Sequence, residues 1–280
     1  MKLCDLHTHS VYSDGTWTPK QLLDEAERIG LGALVLSDHN TVAGLPDFMG
    51  AAAGREILAI PGVEFSTDFE GKELHILGLF VKPEHYGSVT ALLDAAQKQK
   101  EESNIELIGN LNRAGYALDY EKIRETTQGS QFNRAHVAAE LLRLGYVADR
   151  QEAFDRLLSP KCGYYHPPKR MSSFEAIEYI HSIGAVAVLA HPLLTLEEDR
   201  LRNFLDRAAP LGLDGMETIY STYGKATQLL AGAIADAYGL LHSGGSDFHG
   251  SNKPDIVLGF GRGNVAVPVE LAYRLQERSR

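Results

Sequence analysis

The sequence predicts an α/β protein, a parallel, barrel-like fold interrupted by a mainly helical insertion. Three observations carry this. Short apolar runs alternate with helical patterns over most of the 280 residues, the mark of successive βα units. Two runs, ALVLS at residues 33–37 and AVAVLA at 185–190, are close to uninterrupted apolar, as in parallel strands buried on both faces. Residues 88–168 break the alternation, being rich in Gln, Glu, Lys and Arg with apolar positions at helical spacing.

Residues 2–7 read as the first strand. Thr18, Pro19 and Gln21 then open a helix as N-cap, first helical position and closing member of a capping box. Leu22, Leu23, Ala26 and Ile29 form its apolar stripe, and Gly30 ends it. Residues 33–37, 57–63 and 74–81 are the next three strands. Leu107 with Leu111, and Val137 with Leu141 and Leu144, mark helices inside the insertion. The chain therefore divides into a barrel, residues 1–87 and 169–280, and a helical subdomain, residues 88–168. After it, Ser172 and Glu175 form another capping box at the start of a helix over 172–184. Strands at 185–190, 213–219 and 240–244, separated by helical segments at 201–208 and 229–237, bring the total to roughly seven βα units. Gly259-Phe260-Gly261-Arg262-Gly263 misses the dinucleotide-binding spacing and reads as a glycine-rich turn.

Composition narrows the function. With 37 acidic against 27 basic residues, the formal charge is −10, which disfavours an extended nucleic-acid surface but not a nucleotide as a small substrate. No apolar run approaches the ~18 residues of a membrane span. The two cysteines, Cys4 and Cys162, cannot build a disulfide framework, and the early charge and histidine do not resemble a signal peptide. A cytoplasmic location is expected.

Five short segments concentrate metal-type ligands, most of them where a predicted strand ends. They are Asp5-Leu6-His7-Thr8-His9 with Ser13-Asp14-Gly15, Ser37-Asp38-His39-Asn40, Gly62-Val63-Glu64-Phe65-Ser66 with His75 following, Ala190-His191-Pro192, and Gly245-Ser246-Asp247-Phe248-His249. In extended backbone, residues i and i+2 point the same way, so His7 with His9, and Asp247 with His249, can grip one ion. In a parallel barrel the C-terminal strand ends share one rim. Nine candidates meet there: His7, His9, Asp14, His39, Glu64, His75, His191, Asp247 and His249. Nitrogen and carboxylate donors without thiolate suit Zn, Mn or Fe. Nine are too many for one tetrahedral ion and enough for two or three sharing a bridging carboxylate. His85, His181 and His242 lie apart from these segments and read as structural.

D-L-H-T-H-S-x-x-S-D-G, S-D-H-N-T-V-A-G, G-V-E-F-S, A-H-P and G-S-D-F-H-G together resemble the motifs of the PHP (polymerase and histidinol phosphatase) family. The resemblance covers the whole chain. It implies a distorted (β/α)7 barrel with a trinuclear metal centre. With the helical insertion, it points to bacterial phosphoesterases such as nucleoside 3′,5′-bisphosphate phosphatases and 5′→3′ exoribonucleases. Carried over by motif, one ion takes His7, His9, Glu64 and Asp247. A second shares Glu64 and adds His75 and His191, and a third takes Asp14, His39 and His249. Asp14 stands where many relatives have histidine, and Asn40 where aspartate is frequent. The segment after His191 lacks the glycine-arginine pair of bisphosphatase relatives, which leaves the substrate open. Asn133-Arg134-Ala135-His136 resembles the family's R-x-H segment, so Arg134 and His136 are candidate phosphate contacts, joined by Lys169 and Arg170.

The expected activity is hydrolysis of a small phosphorylated metabolite, a nucleotide or sugar phosphate. A hydroxide bridging the ions at Glu64 attacks phosphorus in line, and Asp38, beside a ligand, orients it from behind. Alternatives are a 5′→3′ exoribonuclease on short RNA, a cyclic phosphodiesterase, a C–N amidohydrolase and a non-catalytic metal-binding module.

Overall fold

In the computed structural model, which describes residues 2–126 and 132–280, the chain starts with a short strand, β1 (Leu3–Asp5). Helix α1 (Pro19–Arg28) follows, its capping box made by Thr18 and Gln21, and Gly30 turns the chain at φ +80°, where a side chain would be strained. Next come β2 (Ala33–Leu36) and α2 (Leu45–Ala52), then β3 (Leu58–Phe69) and β4 (Lys72–Leu79). After α3 (Tyr86–Arg113) the insertion adds α4 (Tyr120–Glu125), α5 (Arg134–Arg143) and α6 (Arg150–Ala153). The barrel resumes with α7 (Ser173–Ser182), capped by Ser172 and Glu175, and β5 (Val186–Leu189). Then follow α8 (Pro192–Thr195), α9 (Glu198–Ala208), β6 (Gly215–Tyr220), α10 (Lys225–Ala237) and β7 (Leu241–Gly245). A two-residue strand, β8 (Val267–Pro268), and α11 (Val269–Gln276) come last.

The chain separates into two compact units, Met1–Ala91 with Met171–Arg280, and Leu92–Arg170. In the first, the strands run in the order β7-β6-β5-β4-β3-β2-β1-β8. The two ends of the seven-strand series meet beyond β1. The Leu6 amide donates to Gly244 (3.2 Å), Asp247 to the His7 carbonyl (2.9 Å) and His9 to Phe248 (3.0 Å). The result is a distorted seven-stranded α/β barrel. Its interior is packed with small and branched side chains, among them Cys4, Ala33, Val35, Leu77, Val186 and Val188, as layered barrel cores require.

Three features depart from a uniform βα succession. Helix α2 fills a connection whose helical pattern the sequence does not announce. Strand β8 lies outside the closed series, antiparallel to β1. Strand β4 is antiparallel to both neighbours, β3 and β5. Its cause is the link from β3. Phe69 pairs with Lys72, leaving only Glu70 and Gly71 between the strands, both at positive φ (49° and 78°). Two such residues make a tight hairpin, whereas a parallel crossover needs a dozen or more.

The second unit is helical among the described residues, with no strand. Leu107, Leu111, Val137, Leu141 and Leu157 share its core. Among the described residues, no helix is long and apolar enough to cross a membrane.

Candidate metal centre

All nine predicted ligands belong to the barrel unit, and the structure brings them together. His7 and His9 follow β1, His39 follows β2, His191 follows β5, and Asp247 and His249 follow β7. Glu64 sits within β3 rather than at its end. His75 lies in the first half of β4 and reaches the same rim because that strand runs backwards.

Glu64 is fully buried at the centre. Its Oε2 lies 3.1 Å from His7 Nε2, 3.2 Å from His9 Nε2 and 3.0 Å from His39 Nδ1. Its Oε1 lies 2.7 Å from His75 Nδ1 and 3.2 Å from His191 Nε2. One carboxylate thus divides five rings between its two oxygens. Asp247 turns Oδ1 to His9 Nε2 (3.2 Å), His249 Nδ1 (3.4 Å) and His7 Nε2 (3.7 Å). Asp14 is 3.2 Å from His249 Nε2 and 4.0 Å from His39 Nε2. Donor atoms within 4.8 Å of one another form three groups: His7, His9 and Glu64; His39, Glu64 and His75; and His9, Asp14, His39 and His249. His9 and His39 therefore stand at the borders between groups, a sharing that motif spacing does not reveal.

Charge is concentrated here against the tendency of burial. Burial would raise the Glu64 carboxyl, yet His7, His39 and His75 carry it well below the usual carboxylate range. Asp247 is lowered in the same way by His7 and His9. Burial would lower the His75 ring, but Glu64 and Glu73 raise it to about 9. At His39 burial prevails over Glu64, and the ring falls to about 4.

The donor set fits divalent metal. The imidazole nitrogens His7 Nε2 and His9 Nε2 face each other at 3.1 Å. Nδ1 of buried His9 has no hydrogen-bond partner. Buried nitrogens in that condition are costly unless they serve as ligands, and nitrogen with carboxylate donors is the chemistry of Zn, Mn and Fe sites.

Three loops beside the ligands hold non-glycine residues in left-handed backbone: Asn40 (φ 50°), His191 (31°) and Asp247 (54°). Such strain concentrates at functional sites. Asn40 suits its place, since its Nδ2 donates to Ser66 Oγ and its Oδ1 accepts from the Ser66 amide, both at 3.0 Å. Asp38 accepts from the Ser10 amide and hydroxyl (2.7 Å each) and from Ser13 Oγ (2.6 Å). It fixes the loop between His9 and Asp14, and these bonds go to serines rather than to a histidine ring.

Several residues outside the nine candidates support the site. Buried Glu217 meets His7 Nδ1 at 3.0 Å. Tyr220 Oη and Lys253 Nζ donate to Asp247 Oδ2 at 2.6 and 2.7 Å. Asp5, fully buried, accepts from the amides of Ser246 and Gly259, both at 2.8 Å, so the glycine-rich turn is fastened to the base of the site. Asp5 opens the D-L-H-T-H-S motif, the sequence signal of Glu217 is a charge in a largely apolar strand, and Lys253 stands in a loop with no such signal. The histidines read as structural have ordinary partners: His181 meets Asp214 at 2.9 Å and His242 meets Asp236 at 3.0 Å.

In the second unit, Arg134 begins α5. Its guanidinium stacks on Tyr165 (4.2 Å) and donates to the Leu158 carbonyl (2.9 Å). His136 Nδ1 accepts from the Asn133 amide as part of the helix cap. Lys169 is exposed, outside any helix or strand.

Comparison with known proteins agrees with this geometry. The PHP domain model matches residues 5–159. Over 249 residues the chain is 34% identical to a 5′-3′ exoribonuclease of Haemophilus influenzae, covering 89% of this chain and 90% of that protein. Over 250 residues it is 30% identical to a 3′,5′-nucleoside bisphosphate phosphatase of Chromobacterium violaceum, covering 88% and 86%. Among solved structures, a Bifidobacterium adolescentis protein described as a metal-dependent phosphoesterase matches with a TM-score of 0.70 at 25% identity, covering 100% of this chain and 97% of the other. Barrel, donor set and relatives define a metal-dependent phosphoesterase, a hydrolase of phosphoric esters. The chain belongs to the PHP domain family.

Proposed function

We propose that the protein hydrolyses a phosphate ester of a small metabolite or nucleotide at a centre of two to three divalent ions, Mn, Zn or Fe. His7, His9, Glu64 and Asp247 would hold one ion, Glu64, His75 and His191 a second, and Asp14, His39 and His249 a third. The observation that carries this reading is the division of five histidines between the two oxygens of Glu64, the arrangement of a bridging carboxylate. When bound, such ions supply Lewis acidity that acidifies water near neutral pH and neutralises phosphate charge.

The chain's own residues provide the rest. Tyr220 and Lys253 occupy Asp247 Oδ2 and leave Oδ1 for the centre. His7 and His9 are wholly buried, whereas the side chains of His191, His75, His39 and Asp14 are 13, 19, 25 and 57% exposed. This gradient supports substrate entry from the Asp14 side. Arg134, His136 and Lys169 are proposed phosphate contacts; the planar guanidinium of Arg134 suits a phosphate in two-point fashion. A cytoplasmic setting belongs to the same reading, supported by two unpaired thiols, one of them, Cys4, inside the barrel core.

The test is a panel of phosphomonoesters, nucleoside 3′,5′-bisphosphates, cyclic and linear diesters, with protein loaded with Mn²⁺ or Zn²⁺ and both released phosphate and monoester products measured. Turnover of at least one small ester is expected, and none on any would overturn the proposal. A second reading, trimming of short RNA from its 5′ end, is favoured by the exoribonuclease relative. End-labelled oligoribonucleotides in the same panel separate the two by whether mononucleotides or inorganic phosphate accumulate.

A further inference from the structure

Glu217, in the middle of β6, is fully buried, and neither the motifs nor the proposed ligand set includes it. Both its oxygens are engaged. Oε1 accepts from His7 Nδ1 at 3.0 Å, and Oε2 accepts from the backbone amide of His191 at 2.7 Å. The first bond ties the His7 ring so that Nε2 is turned to His9 Nε2 and Glu64 Oε2, each 3.1 Å away. The second holds His191 in its left-handed backbone, φ 31°, a conformation costly for a residue with a side chain. His7 and His191 lie on opposite oxygens of Glu64.

We propose that Glu217 is a positioning residue that sets two ligands of adjacent metal sites at once, aiming the His7 ring and fixing the His191 loop. A carboxylate behind a metal-bound histidine fixes its orientation and raises its basicity; here one carboxylate does this for one site while bracing the backbone of the next. The inference rests on the metal-centre reading above.

Glu217→Gln tests it. Glutamine offers one acceptor oxygen where two donors converge, so either His7 Nδ1 or the His191 amide must face an NH₂ group. Metal affinity, measured by competition with a chelator, should fall about 10- to 100-fold. The visible absorption of the Co²⁺-loaded variant should change, and kcat should fall more than KM rises. Glu217→Asp, keeping both acceptors on a shorter arm, should recover part of the affinity, and it serves as the variant to read if the glutamine protein does not fold. A purely structural role would lower the melting temperature of the metal-free protein and leave affinity and Co²⁺ spectrum unchanged. That result overturns the inference. Failure of the wild type to bind metal would instead overturn the metal-centre reading itself.

Discussion

Glu64 receives five imidazoles on two oxygens, drawing histidines of all three donor groups to one carboxylate. Glu64→Gln removes the charge that holds them, so activity should drop by orders of magnitude and bound metal, counted by elemental analysis, should fall with it. Arg134→Ala should cut kcat/KM with metal content unchanged; an unchanged profile would leave the arginine to its stacking on Tyr165. Protons compete with metal for the same atoms. The His75 ring, raised to about 9 by Glu64 and Glu73, must lose its proton before it can act as a ligand. Metal affinity should therefore rise as pH increases towards 9 and fall in mildly acidic solution, as titration at several pH values would show. The candidate ligands stood out in the sequence as close pairs such as His7 with His9 and Asp247 with His249 beside apolar runs, although Asp247 adopts left-handed rather than extended backbone (φ 54°). Glu217 and Tyr220 did not, because each reaches its partner only through the barrel, and Lys253 did not, because a lone lysine in a loop marks no motif. Arg134 and His136 were legible as a motif, but the contacts they make within the insertion are local and say nothing of phosphate.

At the scale of elements, helices with a written start were read closely. The capping boxes at Thr18 and Ser172 and the buried runs of β2 and β5 fall where the sequence puts them. Helix α2 escaped notice because its first residues, Leu45 and Pro46, follow Gly44, which offers no side-chain cap. The reversed course of β4 escaped for a different reason: apolar runs show that strands exist but not which way they point, and the deciding detail was the Glu70-Gly71 dipeptide. The junction of β1 and β7 is tightly packed. A Cβ on Gly245 would lie 2.5 Å from His7 Cβ and 2.6 Å from its amide nitrogen, closer than real contacts allow. Gly245→Ala should push His7 and destabilise the barrel by about 1–3 kcal/mol, seen as a lower denaturant midpoint together with weaker metal binding. A wild-type midpoint would mean that the seam can spread.

For the whole molecule, metal and fold should be linked. The proposed ligands come from β3 and β4 and from the segments after β1, β2, β5 and β7, so an ion bound among them would be held only by the closed barrel. Free metal at about 100 times its dissociation constant would add about 2.7 kcal/mol, and chelator should lower the melting temperature by several degrees for a chain of this size. Equal melting curves with and without chelator would show the barrel to be indifferent to its ions. The formal charge of −10 would move to about −4 with three divalent ions, so the acidity of the chain as a whole does not oppose an anionic substrate at the rim. The seam between β1 and β7 also bears on folding. Its hydrogen bonds join segments that lie far apart in the sequence, Leu6 to Gly244 and Asp247 to His7. Such long-range pairing forms late and slowly, so His7 and His9 should gain Asp247 and His249 as neighbours only when the ring of strands closes.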